Sequence, residues 1–246
     1  MESIEERFLD ILSDEGIDFI LGLPCDRMKT LFSRFYEMPN YIPIAREEEG
    51  VGISAGISLG GKRPAMFVQS SGIGNMINAL LSLTNFYKLP LPIFISHRGI
   101  YKEGIAAQIP MGKALKHILR GAGIGYTIIS NEHHLSRIRS KLKTVFKREL
   151  IHAFLISPSL WEASTESVSP KRHRRRSSDL DTNFPFHIKK RAYYRRFDIL
   201  KIISRYIRGR VVVSNLGVPS KELYRVCPQD TNFYMLGSMG MASPVG

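Results

Sequence analysis

The chain has 246 residues, of which 43% are hydrophobic and 23% charged, a composition typical of soluble proteins with one large domain or two moderate ones. Its two cysteines, Cys25 and Cys227, exclude a disulfide framework and a four-cysteine zinc site. No apolar run approaches the roughly 20 residues that cross a bilayer, and the acidic N-terminus lacks a signal-peptide pattern, so we expect a cytoplasmic protein with no membrane segment. The net charge of +13 raises the question of a nucleic-acid partner.

The positive charge is concentrated in one stretch. Residues 171–210 hold fourteen Lys or Arg against three Asp, a net of +11, which leaves the rest of the chain at +2. The basic run 171–176 repels itself and is expected to be solvated. Together with the Ser- and Pro-containing residues around it, this run predicts an exposed linker over 158–195. Nucleic acid is not expected as a partner, because Tyr193 and Tyr194 are too few for a base-stacking surface.

Residues 1–157 alternate between helical and strand-like hydrophobic patterns. Predicted helices cover 4–12, 28–35, 47–59, 76–86, 114–120 and 135–146. Predicted strands cover 17–23, 41–45, 64–69, 91–96, 126–129 and 153–156. After the linker, the pattern predicts helices at 197–207 and 220–226 and strands at 211–214 and 233–236. We therefore predict an α/β fold, with a parallel sheet and helices on both faces, followed by a linker and a partial second α/β domain.

Such sheets bind ligands beyond the carboxyl ends of their strands, where three segments draw attention. The first, 46–56, opens a predicted helix with three glutamates, which would cap that helix. Capping does not explain Gly50, Gly52 and Gly56, since each glycine costs a helix about 1 kcal/mol relative to alanine. Small residues here indicate a close neighbour, which is either a second backbone or a flat ligand.

The other two segments contain glycine and polar residues. Residues 69–75, QSSGIGN, are predicted as a loop between a strand and a helix, with amides and hydroxyls that could bind polar groups. The spacing matches neither nucleotide-binding fingerprint. Residues 237–240, GSMG, are on their own a turn after a strand.

Taken together, these segments resemble thiamine diphosphate-dependent decarboxylases, and among them most closely the sulfopyruvate decarboxylases, with phosphonopyruvate decarboxylases next. The likeness includes 23–25 (LPC), 96–99 (SHRG) and 215–220 (NLGVPS) besides 46–56, 69–75 and 237–240. It implies a pyrimidine-binding domain at 1–157, a linker at 158–195 and the start of a diphosphate-binding domain at 196–246. The implied reaction is decarboxylation of 3-sulfopyruvate to sulfoacetaldehyde and carbon dioxide in coenzyme M biosynthesis. Phosphonopyruvate decarboxylase, or a non-catalytic thiamine-fold protein with a basic tether to an acidic partner, are the alternatives.

The resemblance assigns roles to individual residues. The family places a catalytic glutamate, which hydrogen-bonds the aminopyrimidine ring of thiamine diphosphate, nine residues before a glycine. Counting back from Gly56 selects Glu47 over Glu48 and Glu49. Met239 matches the apolar residue that wedges between the two cofactor rings. The residues expected to bind the cofactor are Gly50, Gly72, Asn75, Asn215, Gly217, Gly237, Ser238 and Met239.

The implied substrate is a 2-oxo acid with a sulfonate or phosphonate group, which needs fixed cationic or polar donors. The candidates are His97, Arg98, Gln108 and Lys113. Family members hold Mg²⁺ with a Gly-Asp-Gly motif, which this sequence lacks, so no metal ligand is assigned and the ligands are expected beyond residue 246. The chain is expected to be a fragment or to use a separate diphosphate-binding subunit, and a homo-oligomer is expected.

Overall fold

The computed structural model describes residues 3–163, 194–215, 217–235 and 242–245. Most of the expected linker, at 164–193, and the expected cofactor-binding residues Gly237, Ser238 and Met239 lie outside the described residues. None of the helices within the described ranges is long and apolar enough to cross a membrane.

The first unit is built on a six-stranded parallel sheet in the order β2-β1-β3-β4-β6-β5. Its strands are β1 (Phe19–Gly22), β2 (Tyr41–Pro43), β3 (Pro64–Gln69), β4 (Leu91–Ser96), β5 (Gly125–Ile129) and β6 (Ile151–Ile156). Its helices are α1 (Ile4–Asp14), α2 (Lys29–Phe35), α3 (Glu47–Leu59), α4 (Ser70–Ala79), α5 (Ile109–Gly121) and α6 (Leu135–Arg148). The α/β prediction is confirmed.

The sheet is buried on both faces, because helices cover each of them. α1, α2 and α6 pack on one face, and α3, α4 and α5 pack on the other. On the first face, the rings of Phe67, Phe94 and Phe154 stack across β3, β4 and β6 with centroids 4.7 Å apart. Burial on both faces explains why β3 and β4 are continuous apolar runs rather than alternating ones.

Helix α4 begins six residues earlier than the hydrophobic pattern predicts, so the loop predicted at 69–75 is wrong. Gln69 ends β3, and residues 70–75 form the first turns of α4, which continues as a π-helix over Leu80–Asn85. The early start is stabilised by Ser70, whose buried hydroxyl donates a 3.0 Å hydrogen bond to the carbonyl of Ser96 at the end of β4. A tertiary hydrogen bond therefore offsets part of the low helix propensity of two glycines.

The chain after β6 adds a 3₁₀ segment and a second, smaller unit. Pro158–Ala163 form a 3₁₀-helix at the start of the expected linker, and Leu160 and Trp161 are buried in the core beside α1. The second unit contains a two-stranded parallel sheet. Its elements are α7 (Arg196–Ile207), β7 (Val212–Ser214), α8 (Val218–Val226), β8 (Asn232–Tyr234) and α9 (Ala242–Val245).

The two units contact each other through a small apolar cluster at α3. Met235 and Val245 of the second unit pack against Ala55 and Leu83 of the first. The backbone of Val245 lies so close to Gly56 that a Cβ at position 56 would overlap its carbonyl oxygen. The close neighbour expected from the glycines of α3 is, at Gly56, a second backbone.

His152, on β6, allows the packing of the main sheet to be tested through the pH dependence of stability. The ring lies on β6, 5.1 Å from that of Phe154, with Nε2 2.9 Å from the Thr127 hydroxyl, and burial lowers the pKa of His152 to about 4. Between pH 6.5 and 4 the unfolded chain binds a proton here that the folded chain does not, so the free energy of unfolding falls as the pH is lowered through this range. We expect His152→Gln to flatten that fall in urea unfolding measured from pH 7 to pH 4. His117→Gln, at an exposed position on α5, is the control. Parallel pH curves for the wild type and His152→Gln would contradict this prediction.

Candidate functional site

The sequence segments expected to carry chemistry meet at the carboxyl edge of the main sheet. Glu47 opens α3 after β2, α4 begins directly after β3, and His97 and Arg98 follow β4. Because β1, β2, β3 and β4 are parallel neighbours in the order β2-β1-β3-β4, their carboxyl ends lie along one edge.

Glu47, Gly72 and Asn75 form the centre of the candidate site. The Glu47 side chain is buried, with 6% of the residue exposed. Its Oε2 accepts a 3.0 Å hydrogen bond from Nδ2 of Asn75. Gly72 makes the room, because a Cβ there would lie 2.6 Å from Glu47 Oε1 and 2.7 Å from its Cγ. Within the described part of the chain, Oε1 has no hydrogen-bond partner, so one oxygen of this carboxylate is held by Asn75 and the other is not held by a protein group there.

The neighbouring glutamates are engaged elsewhere, which distinguishes them from Glu47. Oε2 of Glu49 accepts hydrogen bonds from the backbone N–H groups of Ala45, at 2.9 Å, and Arg46, at 3.4 Å, and so caps α3. Glu48 forms a 3.0 Å salt bridge with the exposed Arg46 side chain. The capping interpretation therefore describes Glu49, whereas Glu48 has a surface partner and Glu47 faces inward.

Gly50, expected to bind the cofactor, is enclosed by apolar side chains. A Cβ there would lie 2.6 Å from Cδ1 of Ile44 and 2.7 Å from Cε of Met66. Packing of α3 on the sheet thus accounts for this glycine. Its role toward a cofactor stays a prediction.

His97 and Arg98, expected to bind the substrate anion, are buried and already have partners. The guanidinium of Arg98 donates two 2.7 Å hydrogen bonds to the carboxylate of Glu103, and these side chains are 5% and 3% exposed. The hydrogen bonds from Arg98 hold the pKa of Glu103 at about 2. Nε2 of His97 lies 3.1 Å from the carbonyl of Gly112, and burial lowers the pKa of His97. In this arrangement the charge of Arg98 is neutralised within the protein, and substrate binding by His97 or Arg98 stays a prediction.

The remaining candidates on this unit lie on the segment that leads into α5. Gln108 is half-buried, and its side-chain Oε1 has no hydrogen-bond partner among the described residues. Its backbone carbonyl packs against Gly99, which has a positive φ of 81° that favours glycine. Lys113 is exposed on α5.

Asn215 and Gly217 lie in the second unit, after β7. Gly217 has a φ of 80° and precedes α8. Ser220, on the first turn of α8, donates a 2.7 Å hydrogen bond to the carbonyl of Asn215 and lies 2.8 Å from the Ser214 hydroxyl. The connection between β7 and α8 is thereby held by hydroxyl groups.

Glu103 is the residue at this edge that sequence reasoning missed. It neutralises Arg98 and also accepts hydrogen bonds from the backbone N–H groups of Gly99, at 3.1 Å, and Ile105, at 3.0 Å. The sequence signal that could have indicated this pair is an acidic residue five positions after Arg98, with Gly99 between them to allow a turn. No group of three or more His, Cys, Asp or Glu that could hold a metal ion occurs in the described ranges.

Comparison with known proteins finds one matching family model and similar folds among solved structures. A family model described as "Thiamine pyrophosphate enzyme, N-terminal TPP binding domain" matches residues 3–120. A benzoylformate decarboxylase from Polynucleobacter necessarius, of known structure, superposes with a TM-score of 0.51 at 17% identity, covering 85% of this chain and 37% of that one. This structural likeness concerns the fold alone.

Sequence relatives cover both units. Sulfopyruvate decarboxylase from Methanosarcina acetivorans is 42% identical over 98% of this chain, which spans 64% of that protein. The alpha subunit of sulfopyruvate decarboxylase from Methanocaldococcus jannaschii is 40% identical over 63% of this chain and 94% of its own length. The beta subunit from the same organism is 53% identical over 22% of this chain and 29% of its own length.

The Arg98–Glu103 pair gives a prediction about stability. Glu103→Gln leaves a buried guanidinium without its counter-charge, so we expect a loss of about 3–5 kcal/mol in the free energy of unfolding in urea. Glu162→Gln removes a pair with Lys102 in which the glutamate side chain is 47% exposed, so about 0–1 kcal/mol is expected. Because the pKa of Glu103 is lowered, its contribution is present above pH 4.5 and is lost as the pH falls toward 2. Equal losses in the two variants would overturn this account.

Gly72 gives a prediction about the site. Gly72→Ala places a methyl group against the Glu47 carboxylate, which must turn away, whereas a Cβ at Gly74 meets only Met111 Cε, at 3.9 Å. We expect Gly72→Ala to weaken thiamine diphosphate binding in calorimetric titration while the unfolding free energy changes by about 1 kcal/mol or less. Gly74→Ala, on the same helix, is the matched control and is expected to bind as the wild type does. Unchanged binding in Gly72→Ala would show that the orientation of Glu47 does not matter.

Proposed function

Because the chain belongs to the sulfopyruvate decarboxylase family of thiamine diphosphate enzymes, we propose that it takes part in the decarboxylation of 3-sulfopyruvate to sulfoacetaldehyde and carbon dioxide. The chain spans 64% of its relative from Methanosarcina acetivorans. The activity, the substrate and the partners of the whole protein are therefore parts of this proposal.

The observation that carries the proposal is the buried Glu47 carboxylate with one oxygen held and the other available. Thiamine diphosphate, when bound, supplies an electron sink for the electron pair released as the carboxylate of a 2-oxo acid leaves as carbon dioxide. Glu47 would hydrogen-bond the pyrimidine ring through Oε1 in a site of low water content, where such a bond is strong. The absence of a side chain at Gly72 leaves room for the Glu47 carboxylate in the orientation that this role requires.

The proposal assigns further contacts with the cofactor to the second unit and to residues outside the described ranges. Asn215, Gly217, Gly237, Ser238 and Met239 are the proposed cofactor contacts there. Magnesium is part of the proposal through the family resemblance, and no residue of the described ranges is assigned to it. Matches to an alpha and a beta subunit suggest that this chain joins parts that are separate in Methanocaldococcus jannaschii, and a homo-oligomer or a further subunit would complete the site.

The test is turnover of the two 2-oxo acids in the presence of thiamine diphosphate and Mg²⁺. We expect carbon dioxide release from 3-sulfopyruvate and a lower kcat/KM for phosphonopyruvate. Glu47→Gln should lower kcat by about 10²–10⁴-fold, the usual contribution of a group in acid–base catalysis. Glu48→Gln, at a neighbouring residue paired with Arg46, is the control.

Each alternative has its own outcome. Preference for phosphonopyruvate would identify the phosphonate enzyme. Near-normal turnover in Glu47→Gln would remove this residue from the mechanism. Absence of turnover, together with salt-dependent retention on DNA that is lost on deleting 171–176, would favour the non-catalytic protein with a basic tether.

A further inference from the structure

We propose that Asn75 is a positioning residue that acts through Glu47, holding its carboxylate so that Oε1 is presented to the ligand. This inference rests on the proposed function. It goes beyond the direct cofactor contact that the family resemblance implies for Asn75, because it assigns the residue a role toward another side chain of the same chain.

Asn75 and Gly72 act on the Glu47 carboxylate in different ways: Asn75 holds it by a hydrogen bond, and Gly72 leaves space for it. Gly72 leaves space for the carboxylate but offers no donor, so it does not choose between the two oxygens. The side-chain amide of Asn75 does choose, since Nδ2 donates to Oε2 at 3.0 Å. A glutamate side chain has several rotatable bonds, and a hydrogen bond to a charged acceptor is strong enough to select one orientation.

Within the described ranges, the hydrogen bond from Asn75 is the one found on the Glu47 carboxylate. The two glutamates that follow in the first turn are held by other groups, Glu48 by Arg46 and Glu49 by the backbone N–H groups of residues 45 and 46. The hydrogen bond from Asn75 joins α4 to α3, and α4 is itself anchored by Ser70 to the end of β4. The Glu47 orientation is therefore set by a rigid neighbour rather than by a loop.

An aspartate at position 75 tests whether the side chain contacts Glu47 as a hydrogen-bond donor. Aspartate has nearly the same shape as asparagine, but when ionised it donates no hydrogen bond and repels the Glu47 carboxylate. If the Asn75 side chain does not contact Glu47, Asn75→Asp should be no more severe than Asn75→Ala, because the added charge would then lie away from the carboxylate. If Asn75 positions Glu47 by donating a hydrogen bond, Asn75→Asp should be the more severe variant, and lowering the pH should partly restore it, since protonated aspartate can donate.

The first measurement uses the full chain without cofactor. We expect Glu47→Gln to shift the side-chain amide resonances of Asn75 in ¹⁵N–¹H spectra and to leave those of Asn78 unchanged. Asn78 is exposed one turn further along α4 and serves as the matched control. Unchanged Asn75 resonances would contradict the contact, whatever the protein catalyses.

The second measurement uses the full chain with thiamine diphosphate and Mg²⁺. We expect Asn75→Ala to weaken cofactor binding in calorimetry and to slow hydrogen–deuterium exchange at C2 of the cofactor, each about tenfold, as for the loss of one hydrogen bond to a charged group. Asn75→Asp should lose more, and Asn78→Ala should match the wild type. Asn75 is exposed, so these variants are expected to fold, and circular dichroism checks this.

The outcomes for the two proposals are distinguishable. No cofactor binding by the wild type, or wild-type binding and exchange in Glu47→Gln, would overturn the proposed function. A defect in Glu47→Gln with wild-type behaviour in Asn75→Ala, or a milder effect of Asn75→Asp than of Asn75→Ala, would overturn the positioning role alone. If Asn75→Ala fails to fold, the pH dependence of Asn75→Asp decides.

Discussion

The parallel direction of every strand in the main sheet is the constraint on which the site depends. Parallel strands need helical crossovers, which bury both faces of the sheet and leave the strand ends as the places where polar side chains can gather. The crossovers set α3 and α4 side by side, each starting at the same edge. Ser70 then ties the start of α4 to the end of β4. A buried carboxylate at the start of α3 thus has a fixed neighbour.

The alternation of hydrophobic periods was sufficient to predict the α/β layers, because burial on both faces leaves long apolar strands between amphipathic helices. It was not sufficient for the start of α4. Gly72 and Gly74 disfavour a helix locally, and the compensating hydrogen bond of Ser70 reaches a carbonyl 26 residues away. The local hydrophobic pattern contains no information about a hydrogen-bond partner so distant in the sequence. The selection of Glu47 among three glutamates came from a family resemblance, and the structure adds that the other two have capping and surface partners.

Glycines and charged residues in the sequence indicate that a neighbour is present but do not identify that neighbour. Gly50 and Gly56 give one signal in the sequence, a close neighbour, yet the neighbour is apolar side chains at Gly50 and a backbone at Gly56. Arg98 is a cation at a strand end, which indicates an anion site. The anion found there is Glu103, on the same loop. The residue types predict that a partner exists, whereas the identity of that partner depends on tertiary packing.

The contact at Gly56 has a consequence for how the two units are joined. α3 carries Glu47 at its first residue and Gly56 nine residues later, where the backbone of Val245 rests on it. At roughly 1.5 Å per residue, the two positions are about 13 Å apart along the helix axis. One helix thus carries both the candidate carboxylate and the contact with the second unit. A side chain larger than hydrogen at position 56 would overlap the Val245 carbonyl and push the second unit away from this helix.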